Sequence, residues 1–204
     1  MNYAIPPPPL VTLPIEGSEA VFPVLRVFCV GRNYAEHAVE MGHDPDREPP
    51  FFFMKPAVAV VPNGGRLPFP PATDDLHHEV ELVVALRTGG ADIPVVDALG
   101  HVFGYAVGLD MTRRDIQAKA KEMGRPWDMG KGFDRSAPIG TLRSAEAIGH
   151  PDAGAIWLRV NGELRQEGDL VMTGTPKGVG RVMPGDHLEG HIDDVGEVVV
   201  EYSA

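Results

Sequence analysis

The chain has 204 residues, of which 43% are apolar, enough for one self-sufficient core or one domain with an appendage. Glycine (24) and proline (20) are about a fifth of it, against an ordinary share of ~12%, without a fixed period; this excludes collagen and reads as many tight turns between short strands. A net charge of −11 argues against nucleic acid or an anionic membrane as partner, and a single cysteine, Cys29, excludes an internal disulfide and fits a reducing compartment.

Residues 1–23 carry Pro6, Pro7, Pro8, Pro9, Pro14 and Pro23, so they are read as an extended arm lying on the domain or on a neighbouring subunit. The first ten residues lack a basic n-region and an apolar h-region, and no run approaches the ~18 apolar residues of a membrane span, so a cytoplasmic protein is expected. The second unit, residues 24–204, opens with a strand-type run, 24–30. Asn33 then caps a two-turn helix over 34–41 that Gly42 closes. A charged, proline-rich loop follows over 43–50. Residues 51–61 are strand-like but interrupted at Lys55-Pro56, and Asn63-Gly64-Gly65 is a turn.

Further strands are expected over 78–86 and 103–109. The best helical pattern is 112–123, with Thr112-x-x-Asp115 as its capping box and Gly124 as its stop. Residues 156–160, Asn161-Gly162 and 163–166 form a hairpin with a type I′ turn; Pro184-Gly185-Asp186 and Val195-Gly196 punctuate the tail. Strands outnumber helices, which gives an α+β, β-rich class with a few short helices.

Glu79 and Glu81 are two apart in a strand flanked by valines, so period two puts both carboxylates on one face. Two such anions either face solvent at a sheet edge or have a cation between them. Asp110, where the 103–109 strand hands over to the helix, is either that helix's N-cap or a third ligand. Three carboxylates without cysteine suit Mg²⁺, Mn²⁺ or Ca²⁺ better than zinc, and His77 and His78 are read as structural or as supports behind the ligands. His37 and Glu40 share one face of the short helix, either as an oriented general base or as an ordinary surface pair. Arg114, Gln117 and Lys121 share a face of the later helix, normally a solvated one. Lys131, between Gly130 and Gly132, is a candidate anion binder. The 174–178 glycine-rich loop has neither a phosphate-loop nor a dinucleotide fingerprint, and no Gly-x-Ser-x-Gly elbow occurs.

Together, Val30-Gly-Arg-Asn-Tyr-Ala-Glu-His37, Phe53-Met-Lys-Pro56, His77-His-Glu-Val-Glu-Leu82, Gly108-Leu-Asp-Met-Thr-Arg-Arg-Asp115 and Thr173-Gly-Thr-Pro-Lys-Gly-Val-Gly180 resemble, in order, the motifs of the fumarylacetoacetate hydrolase family. The likeness is to its acylpyruvase and fumarylpyruvate hydrolase branch. That resemblance implies a mixed β-sandwich roll, a homodimer, and one Mg²⁺ or Mn²⁺ held by Glu79, Glu81 and Asp110. It implies a lid dyad at His37 and Glu40, an active-site lysine at Lys131, and substrate contacts from Arg114, Gln117 and Thr175, with Lys55 nearby. The implied activity is metal-dependent C–C hydrolysis of a 2,4-dioxo acid, fumarylpyruvate giving fumarate and pyruvate. Alternatives on the same site are oxaloacetate decarboxylation and dioxo-acid isomerisation; a remote one is a non-catalytic metal-binding scaffold. One departure stands out: relatives carry an extra segment between the stretches matching 165–170 and 172–175, which nearly abut here. The expectation is a missing segment between 167 and 172, with Cα atoms there further apart than ~3.8 Å; a truly absent peripheral helix is the alternative.

Overall fold

The computed structural model describes residues 2–31, 51–169 and 174–203. β1 (Thr12–Pro14) and β2 (Val21–Pro23) form an antiparallel hairpin, with Pro14 and Pro23 at strand ends, where a missing N–H is tolerated. β3 (Val27–Gly31) pairs antiparallel with β4 (Phe51–Lys55). Pro56 ends β4, a 3₁₀ turn follows at Ala57–Ala59, and β5 (Val60–Pro62) and β6 (Gly64–Pro68) flank a turn at Asn63. Next come β7 (Leu76–His78), β8 (Val80–Leu86), a 3₁₀ segment at Val95–His101, β9 (Val102–Leu109) and β10 (Thr112–Arg113). α1 (Arg114–Glu122) and the single turn α2 (Asp128–Lys131) precede β11 (Ala137–Ile139), β12 (Arg143–Ser144) and α3 (Ala145–Ile148). β13 (Ala155–Val160), β14 (Glu163–Asp169), β15 (Gly180–Val182), β16 (His187–Ile192) and β17 (Gly196–Ser203) complete the chain.

Two larger sheets build the roll. In one, β9 is central, with β8 antiparallel along one edge and β11 and β12 along the other; β5 joins β11 in parallel. Backbones meet so closely there that a Cβ on Gly104 would lie 2.1 Å from the carbonyl oxygen of Arg143. The other sheet runs β14-β13-β16-β17-β6, its last pair parallel. Asn161 and Gly162 have φ of 53° and 81°, the left-handed pair that a type I′ turn needs between β13 and β14. Val80, Leu82 and Leu109 pack with Ile156, Leu158, Leu188 and Val200 in the main core. A second core gathers Leu13 and Val24 with Ala106, Ile139 and Leu142.

Several expectations change. The strand expected over 78–86 is broken at Glu79: β7 belongs to a small sheet with β10 and β15, whereas β8 belongs to β9. The helix expected from Thr112 starts at Arg114, and no side chain caps it. The capping box does not form, because the Thr112 hydroxyl turns to the Asp110 carbonyl (3.1 Å) and Asp115 accepts from the Thr73 hydroxyl and the Ile116 N–H. The helix over 34–41, with His37 and Glu40, lies outside the described residues, as does the part of the 167–172 junction at 170–172. Among the described residues no helix is long and apolar enough to cross a membrane.

Candidate active site

The break at Glu79 is what builds the site. Asp110, one residue past β9, donates its backbone N–H to the Glu79 carbonyl at 2.8 Å, clamping the two acidic positions together; it is not a helix cap. Glu81, early in β8, pairs across to Gly108. One oxygen each of Glu79, Glu81 and Asp110 lies within 4.8 Å of the others, with Glu79 and Asp110 buried.

Two lysines offset part of that charge. The Lys131 ammonium is 2.9 Å from Glu79 Oε2 and 2.7 Å from Asp110 Oδ2. Burial alone would lower its pKa, but Asp110 and Glu79 outweigh that and raise it, so it stays protonated. Lys55 Nζ lies 2.8 Å from Asp110 Oδ1 and donates to the carbonyls of Met111, at 3.1 Å, and Lys131. Arg114 pairs with Glu79 Oε1 and donates to Gln117 Oε1 at 2.7 Å. The face read as solvated therefore turns inward at Arg114 and Gln117.

Glu81 differs from its two neighbours. Its carboxyl is held well above the ordinary range, first by burial and then by the charges of Asp110 and Glu79. Asp110 Oδ1 is buried and closes no hydrogen bond, although the Lys55 ammonium is near it as an ion pair. A clustered, oxygen-only donor set, in which one buried carboxylate oxygen closes no hydrogen bond and the Glu81 carboxyl has no direct cationic partner among the described residues, fits a hard divalent cation such as Mg²⁺ or Mn²⁺.

Thr175 reaches this network through Gln166, a residue the sequence does not single out. The Gln166 carboxamide oxygen accepts from the Val80 N–H, beside Glu79, at 3.1 Å and from His78 Nδ1 at 2.8 Å. Its amide nitrogen donates to Thr175 Oγ1 at 2.8 Å and to the Pro176 carbonyl at 3.0 Å. Only the strand register of β14 brings Gln166 here. The structure thus joins Glu79, Glu81, Asp110, Lys55, Lys131, Arg114, Gln117 and Thr175 in one place; His37 and Glu40 lie outside the described residues.

Comparison with known proteins agrees with this arrangement. Residues 26–168 match the family described as fumarylacetoacetate (FAA) hydrolase, C-terminal. The chain superimposes on fumarylpyruvate hydrolase from Pseudomonas aeruginosa, crystallised with Mn²⁺ and pyruvate, with a TM-score of 0.95 and 50% identity over 99% of both chains. It is 42% identical over 195 residues to the mitochondrial oxaloacetate tautomerase FAHD1 of Rattus norvegicus, covering 83% of this chain and 88% of that protein. The corresponding protein of Arabidopsis thaliana is 38% identical over 198 residues, covering 85% and 88%. With the carboxylate cluster, the fold and the matched residues in agreement, the chain belongs to the fumarylacetoacetate hydrolase family.

Proposed function

We propose that this protein is a metal-dependent hydrolase that cleaves the C–C bond of a 2,4-dioxo acid, with fumarylpyruvate and water giving fumarate and pyruvate. The observation that supports it most is the Glu79, Glu81 and Asp110 cluster with Lys131 across two of its members, in a chain half identical to a fumarylpyruvate hydrolase. Glu79, Glu81 and Asp110 hold the cation, which when bound supplies Lewis acidity and a template for a 2-oxo acid. By the family resemblance, His37, oriented by Glu40, takes a proton from water for attack on the 4-carbonyl. The C3–C4 bond then breaks, its electron pair passing into the enolate of pyruvate, which is protonated at C3. Lys131, kept cationic, donates to the oxygen that gains charge. Arg114 and Gln117 orient polar groups of the substrate. Because Gln166 already donates to Thr175 Oγ1, the threonine's own proton is left to donate to the substrate carboxylate.

A second reading is favoured by the tautomerase relatives: the same residues would move a proton between C3 and the 2-oxygen of oxaloacetate, consuming no water. One assay separates the two. Enolised fumarylpyruvate is incubated with enzyme and Mn²⁺, with an EDTA control, and absorbance and products are followed. The expected result is metal-dependent loss of absorbance with equal amounts of fumarate and pyruvate formed. Absence of fumarate with Mn²⁺ bound, together with accelerated ketonisation of enol-oxaloacetate, would transfer the assignment to the tautomerase.

A further inference from the structure

Next to the carboxylate cluster is a cavity of about 410 Å³, large enough for a small acyl chain. Aromatic rings wall it. Trp127 stands edge-on to Phe51, with centroids 5.2 Å apart, and tilted to Phe53 at 5.8 Å. Lys131 lies at its inner end, its ammonium 5.0 Å from the Phe53 ring centre and bonded to Glu79 and Asp110. The cavity therefore adjoins the carboxylate cluster through Lys131. Arg125 also lines it. The turn that closes α1 fixes its backbone: Gly124 takes φ 62° and the Arg125 N–H bonds to the Ala120 carbonyl at 2.8 Å.

Among the described lining residues are two cations, and they are in different situations. Lys131 is committed to two carboxylates. The Arg125 guanidinium is exposed and makes no ion pair or hydrogen bond among the described residues. Asp128, the one acidic residue among the described lining residues, does not pair with it. Flat aromatic walls favour a planar, conjugated chain, and an uncommitted guanidinium at the outer part favours an anion at that chain's far end.

We propose that this cavity is the acyl subsite and that Arg125 is its specificity-determining residue, pairing with the distal carboxylate of a planar, unsaturated dicarboxylic acyl group. The inference rests on the hydrolase reading for its substrate, but its test also has an arm independent of turnover. In the kinetic arm, kcat/KM of wild type, Arg125→Leu and Arg125→Lys is compared on fumarylpyruvate and on acetylpyruvate, which lacks the distal carboxylate. The preference for fumarylpyruvate should fall about 10- to 100-fold in Arg125→Leu, as expected for one lost charge-assisted hydrogen bond, and recover in part in Arg125→Lys. In the binding arm, fumarate is titrated calorimetrically into each Mn²⁺-loaded protein in the presence of pyruvate, and should bind wild type more tightly than Arg125→Leu by a similar factor. Equal losses on both substrates, or fumarate affinity unchanged by Arg125→Leu, overturn the proposal. If wild type hydrolyses neither substrate, the hydrolase reading fails while the fumarate titration still decides the subsite.

Discussion

His78 is uncharged in the folded protein, because burial pushes its pKa down to about 4 against the hydrogen bond to Gln166. Gln166 Oε1 also accepts from Val80 N–H, so the bond requires the proton on His78 Nδ1. The unfolded chain takes up that proton near pH 6.5. Below that pH the unfolded state binds more protons than the folded one, so the stability is complete above about 6.5 and declines as pH falls toward 4. A displacement of this size corresponds to roughly 3 kcal/mol. Urea unfolding of the metal-free protein should therefore show the wild type losing about that much more between pH 7 and pH 4 than His78→Gln does. Parallel pH curves would mean that His78 is not held neutral. Because Gln166 also holds Thr175, one neutral ring supports both the β8 start and the 174–178 loop.

Among the elements, those with local causes are the ones legible in the amino-acid order. The 102–109 run, the Asn161-Gly162 hairpin, the Lys55-Pro56 interruption and the tail turns all form near their expected places, since each depends on residues within a few positions. The break at Glu79 does not, because partners far along the chain cause it: β10 and β15 take β7, and β9 takes β8. The three carboxylates were legible by type, but their mutual reach depends on the Asp110 to Glu79 backbone bond, and Gln166 enters only through sheet register. The proline-rich arm shows the same division. Its extended character follows from its prolines, but its seat follows from Leu13, 3% exposed, packed with Val24 and Leu142, and from the bonds of Leu142 N–H to Pro14 and Glu16 N–H to Leu142. Leu13→Ala should cost about 3 kcal/mol in urea unfolding. It should also make the β1–β2 hairpin the first site of cutting by a broad-specificity protease. Unchanged stability with an equally protected arm would show that Leu13 is not the anchor.

At the scale of the whole molecule, an acidic chain of net charge −11 brings three carboxylates into one cluster and offsets them unevenly. Lys131, Lys55 and Arg114 are placed on Glu79 and Asp110, whereas Glu81 is left with a raised pKa from burial and from those neighbours. A divalent cation that binds only the folded cluster stabilises the entire fold, by about 2.7 kcal/mol at a hundredfold excess over its Kd. For a chain of this length that is a rise in Tm of roughly 5–10 °C. The shift should grow as the pH is raised, because proton and cation compete for the Glu81 carboxyl, whose pKa is raised. Glu81→Gln puts a neutral amide of the same size where the carboxyl already resists ionising, so the metal-free variant should melt no lower than wild type, yet it should lose most of the Mn²⁺-induced rise. Differential scanning fluorimetry of both proteins, with Mn²⁺ and with EDTA, measures this directly. An equal Mn²⁺ shift in Glu81→Gln would place the cation elsewhere. A lower melting temperature for the metal-free variant would show that Glu81 stabilises the fold in its own right, rather than being strained until a cation arrives.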